Sequence, residues 1–186
     1  HKLLLASSAS TSVVKAGECP FGYTSSGSPV VEGGRQLDDI LYPSDLFTCS
    51  SGAISKTVDF TADDYESIVL AIHEKYEAVD DTVSDNTNPR ANFAGCMIRL
   101  AGHDFMDYRV DGTEGHLGGS DGCMNFDDGD NTGLVNCVTS SGVLDVYQDW
   151  CSQVSLADFI VILGEAVMGR TATDYNQNRP FKDGKF

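Results

Sequence analysis

The sequence predicts a mainly α protein, and three observations carry that prediction. Apolar residues recur at helical spacing in the long segments. Each long segment opens on a residue suited to starting a helix. Strand-like alternation is weak throughout. The chain of 186 residues is long enough to bury a real core, and its 41% apolar content is ordinary for a globular protein.

Residues 1–57 are rich in Ser, Gly and Pro and read as an irregular N-terminal extension. Residues 58–186 read as the helical domain. The six cysteines are Cys19, Cys49, Cys96, Cys123, Cys137 and Cys151. No C-x-x-C pair occurs, so disulfides in an oxidising compartment are a better reading than a zinc cluster. Six cysteines allow 15 pairings, and the spacing does not choose among them. A Cys19–Cys49 bridge is the expected pin of the N-terminal extension.

The first helix is predicted within "FTADDYESIVLAIHEKYEAV", residues 60–79, with Thr61 as N-cap and Asp63 and Asp64 in the first turn. Tyr65, Ile68, Val69, Ile72, Tyr76 and Val79 form its apolar stripe, and His73 falls beside it as a surface or edge histidine. A polar linker follows. The second helix is predicted from Pro89 to Tyr108, because proline suits a helix's first turn. Its packing face is Phe93, Met97, Leu100 and Ala101. Cys96, Arg99 and His103 share another face at i, i+3 and i+7. Residues 109–133 read as a Gly- and Asp-rich loop, long enough to be functional or ion-bound. A short helix is expected around Gly142–Trp150. The last, "VSLADFIVILGEAVMGR", is expected to be capped by Ser155 with Asp158, to be buried all round over Phe159–Leu163, and to end at Gly169.

The net charge of −16 and pI near 4.3 argue against nucleic acid and anionic membrane surfaces as partners. No apolar run reaches transmembrane length. "LLLASSAS" is too short for a complete signal segment and fits a remnant of processing.

The chemical interest lies in "MIRLAGHDF". A histidine can take and return a proton, while an arginine stabilises negative charge developing on oxygen. Arg99 and His103 on one helix face therefore suit heterolysis of a peroxide O–O bond. The R-x-x-x-H pattern is weak by itself. Three segments in order strengthen it: "MIRLAGHDF", "GGSDGCMNFDDGDNTGL" and "VSLADFIVILGEAV".

Together these segments resemble the distal helix, the calcium loop with N-x-G-L, and the buried V-S-x-A-D helix of plant and fungal haem peroxidases. Secreted peroxidase-like proteins of algae and protists are similar. The resemblance covers roughly residues 60–170 and implies the distal half of a haem-peroxidase-like helical fold. It implies Arg99, His103 and Asn131 as the catalytic set, with Asn131 accepting a hydrogen bond from the histidine. It places Arg99, His103, Cys96 and Gly102 beside haem b. It gives Asp104, Asp121 and the Gly119 carbonyl to Ca2+.

Three positions depart from the family pattern. Gly102 stands where an aromatic is usual, and Cys123 where a calcium-ligating serine is usual. The proximal histidine that ligates haem iron has no counterpart, because the chain ends at "RPFKDGKF". The expectation is a secreted peroxidase domain that reduces hydrogen peroxide, oxidises an unidentified donor and is completed by a second polypeptide carrying the proximal half. The alternative is a non-catalytic, peroxidase-like extracellular structural or binding protein.

Overall fold

A computed structural model of the chain describes residues 41, 43–50, 59–83, 88–106, 108–111 and 115–178. Among the described residues the architecture is helical. It comprises α1 (Pro43–Leu46), α2 (Ala62–Glu77), α3 (Pro89–Met106), α4 (Leu134–Ser141), α5 (Val143–Trp150) and α6 (Leu156–Asn178). One small antiparallel hairpin, β1 (Arg109–Asp111) and β2 (Gly115–Leu117), follows α3 with Val110 opposite His116. No helix among the described residues is long and apolar enough to cross a membrane.

The sequence sets the long helices through their caps. Thr61 and Asp64 form a capping box: the Thr61 hydroxyl accepts from the Asp64 amide at 3.2 Å, and the Asp64 carboxylate accepts from the Thr61 amide at 2.9 Å. The Thr61 hydroxyl also donates to the Asp64 carboxylate at 2.6 Å, and this bond foremost, then the one from the Thr61 amide, holds the Asp64 carboxyl below its usual range. Asn88 starts α3, its side-chain oxygen accepting from the Ala91 amide at 3.0 Å just before Pro89. Ser155 accepts from the Asp158 amide at 3.0 Å and starts α6 as expected.

The α2 stripe buries Ile68, Ile72 and Tyr76, and the expected α3 packing residues Phe93, Met97, Leu100 and Ala101 are all buried. Helices α3 and α6 cross at small residues. A Cβ added at Gly164 would lie 2.9 Å from the Ala101 Cβ, so only glycine permits this approach. The crossing is reinforced at one end. Arg90 of α3 donates to the Glu77 and Val79 carbonyls at 3.1 Å and lies over the Tyr76 ring. Arg170 of α6 pairs with Glu77 at 3.0 Å. Tyr65 of α2 donates to Glu165 of α6.

Several expectations are corrected. Cys49 bonds to Cys151, not to Cys19, which lies outside the described residues. The reason is packing. Phe47 inserts into the core against Tyr147 and Phe159, with ring centroids at 5.7 and 6.0 Å, which carries Cys49 to the end of α5. Thr48 and Ser50 both accept from Gln148 in the same place. Residues 43–50 of the expected N-terminal extension therefore belong to the helical core. α3 ends at Met106 rather than Tyr108. α6 runs through Gly169 to Asn178, since one glycine costs a helix only about 1 kcal/mol. Val161 is exposed, so the Phe159–Leu163 stretch is not buried all round.

Candidate functional site

The site forms where one side of α3 meets the segment 118–133. Leu100 and Met97, fully buried, fix the rotation of α3. Arg99 and His103 then emerge half-buried on the side toward that segment. The segment is shaped by local polar bonds. Asp128 caps a single 3-10 turn, Gly129–Asn131, through the Asp130 amide, and the turn delivers Asn131 into a buried position.

The hydrogen bonds form one directed chain. The Asn131 Nδ2 donates to the Asn125 carbonyl at 2.6 Å. A carbonyl only accepts, so the Asn131 amide orientation is fixed and Oδ1 faces His103. The His103 Nδ1 lies 2.6 Å from that oxygen and must carry the proton. The other ring nitrogen, Nε2, is then an acceptor, and Arg99 Nε–H reaches it at 3.4 Å, a long bond near the limit of such interactions. The Arg99 guanidinium also donates to the Thr132 carbonyl at 2.9 Å and to the Asp130 carbonyl. Arg99, His103 and Asn131, singled out from the sequence, are thus brought together. The main-chain acceptors at Asn125, Asp130 and Thr132 gave no side-chain signal by which to find them.

Cys96 is a correction. It shares the stripe of Arg99 and His103, but its sulfur is bonded to Cys137 of α4, with the two Cα atoms 6.3 Å apart. Cys96 is buried against α4. Gly102 does face open space: a Cβ there would meet nothing within 4 Å, and the same holds at Gly95 two turns earlier. Exposed Ile98 and Phe105 flank the two glycines. Arg99 and His103 border this partly apolar strip. His73, by contrast, is tied to the Ala166 carbonyl at 3.0 Å from its Nε2.

The expected calcium ligands are held differently. The Asp104 side chain, fully buried, accepts from the Gly122 amide at 2.9 Å. The Asp121 Oδ1 accepts from the Cys123 amide at 2.9 Å, and the Gly119 carbonyl accepts from the Asp121 amide at 2.7 Å. Cys123 is disulfide-bonded and supplies no ligand. Calcium takes six to eight oxygens, and among the described residues no three His, Cys, Asp or Glu side chains gather as a metal site. These bonds close the turn around Gly122.

No protein-family profile, no curated protein and no solved structure matches the chain.

Proposed function

We propose that α3 and the 118–133 segment form the peroxide-handling face of a secreted haem peroxidase. The observation that carries this reading is the His103 ring. Its Nδ1–H is spent on Asn131, and Nε2 keeps its lone pair beside a guanidinium. An imidazole held this way takes a proton from the near oxygen of hydrogen peroxide and returns it to the departing one. The peroxide O–H displaces the long bond from Arg99. Each terminal nitrogen of Arg99 still has one N–H beyond its carbonyl partner, and these stabilise the leaving oxygen.

Haem would lie along Gly95 and Gly102, next to Arg99 and His103. When bound, it supplies the iron at which peroxide is reduced, and an unidentified donor restores the electrons. A haem held here would need a further protein ligand; His73 is tied to the Ala166 carbonyl, and a proximal half carried on other sequence or on a second polypeptide would supply that ligand. Two disulfides among the described residues support an oxidising, extracellular setting.

One observation favours the second reading, a non-catalytic peroxidase-like protein. Arg99 ties α3 to the Asp130 and Thr132 carbonyls, which is useful as a structural strap alone. The absorption spectrum of the purified native protein, with haem supplied, separates the two. The peroxidase reading expects a Soret band that shifts on adding peroxide, with intact mass revealing any second polypeptide. No Soret band with haem supplied and both halves present overturns it. In the haem-loaded protein, His103→Leu is expected to slow the reaction with peroxide by about 10²–10⁴-fold. An unchanged rate would remove His103 from its role.

A further inference from the structure

The Cys96–Cys137 bond sits where it can act on the His103 network without belonging to it. Cys96 is on α3, three residues before Arg99. Cys137 is in the first turn of α4, which begins directly after Asn131, Thr132 and Gly133. The bond therefore clamps the end of the 118–133 segment onto the helix that carries Arg99 and His103. The rest of the segment is held by the disulfide at Cys123, by buried Met124 and Phe126, and by hydrogen bonds from the Gly122 amide to Asp104 and between Leu41 and Phe126 and Asp127. The start of α4 adds little of its own, since its N-cap is Gly133, which offers no side-chain cap.

We infer that Cys96–Cys137 is a redox-sensitive lock whose oxidised state holds His103 in its Nδ1–H form with Nε2 free as an acceptor. Cys137 is the more exposed of the two sulfurs, whereas Cys96 is buried. A small dithiol attacks at Cys137. The S–S bond breaks, Cys96 leaves and is protonated, and the mixed disulfide resolves as the reductant's second thiol displaces Cys137. Two electrons and two protons have then passed from the dithiol, which leaves as its own disulfide. With the clamp open, α4 and the Asn131 turn are held to α3 by reversible contacts, the Arg99 and Asn131 hydrogen bonds and the packing of buried Leu134 and Val138. Asn131 then no longer holds the ring in one orientation, and His103 behaves as an ordinary imidazole in tautomeric exchange. The inference rests on the hydrogen-bond geometry and stands whether or not the site handles peroxide.

Nuclear magnetic resonance of the whole chain with 15N-labelled histidine reads the tautomer directly. The oxidised protein is expected to give a protected Nδ1–H signal for His103. C96A/C137A is expected to exchange that proton roughly tenfold faster, the factor that an ordinary hydrogen bond represents, with unchanged far-ultraviolet circular dichroism. C49A/C151A, which removes the other bond, is expected to keep the signal. An unaltered His103 signal in folded C96A/C137A overturns the inference. Dithiothreitol titration of the wild-type protein decides the matter if that variant does not fold, with each cysteine followed by alkylation and mass spectrometry. The His103 signal must then fall in step with reduction of Cys96–Cys137 while helicity is retained. A signal that survives full reduction of that pair, or that is lost only with global unfolding, overturns the lock.

Discussion

The α3–α6 crossing and the 118–133 segment share one helix and are held in opposite ways. The crossing is apolar and close, with Leu100, Leu163 and Phe159 fully buried and Ala101 lying against Gly164. The segment is anchored by buried Met124 and Phe126, but the part beside His103 is positioned by amides and carbonyls, by one asparagine side chain and by disulfides. Apolar packing is redundant, because many small attractions share the load. A hydrogen-bond chain is not, since each member orients the next. The first arrangement gives α3 its place, and the second gives His103 its chemical form.

Substitutions in the two regions should therefore differ in kind as well as size. Phe159→Ala empties a site packed by Phe47 and Tyr147 and is expected to cost about 3–5 kcal/mol in urea unfolding. If it cost under about 1 kcal/mol, the crossing would not be the stable base described here. Asn131→Ala leaves the Asn125 carbonyl and the His103 Nδ1–H without their partner. It is expected to cost about 1–3 kcal/mol and to abolish the protected His103 signal with helicity unchanged. A variant that kept the signal would break the directed chain.

The smallest effect concerns Tyr65, a polar tie within the apolar region. Its hydrogen bond to Glu165, then burial, then the charge of Glu165 push its hydroxyl up to about 12 from 10.0. The folded state thus holds this proton where the unfolded chain releases it. The tie contributes fully below about pH 10, and its stabilisation is lost as pH rises toward about 12. Tyr65→Phe should flatten that part of the stability–pH curve, measured by urea midpoints at about pH 9 and about pH 11.5. Equal slopes in the two proteins would discount the tie.

The same contrast explains what could be read in advance. Helices α2, α3 and α6 were legible because their caps and apolar stripes are local, repeated signals, as at Thr61, Pro89 and Ser155. Helix α4 was not, because it starts at Gly133 in a left-handed conformation without a side-chain cap. The ends of α3 and α6 depended on tertiary packing, and Gly169 proved too weak to stop a helix supported by its neighbours. At the site, Arg99, His103 and Asn131 were legible as residue types in a recognised order. What holds them was not, since the Asn125, Asp130 and Thr132 acceptors are main-chain atoms that every residue has. The cysteine pairing was equally hidden. Sequence separations of 102 and 41 residues say nothing about which sulfurs the helices bring together.

The two bridges are nested, Cys96–Cys137 lying inside the span of Cys49–Cys151. A single backbone cut anywhere between His103 and Asn131 falls within both loops. The resulting pieces, one carrying Arg99 and His103 and the other carrying Asn131, remain covalently joined by both bridges. Such a nicked protein migrates as one band until a reductant is added, and its histidine and asparagine stay within reach of each other although no continuous main chain connects them.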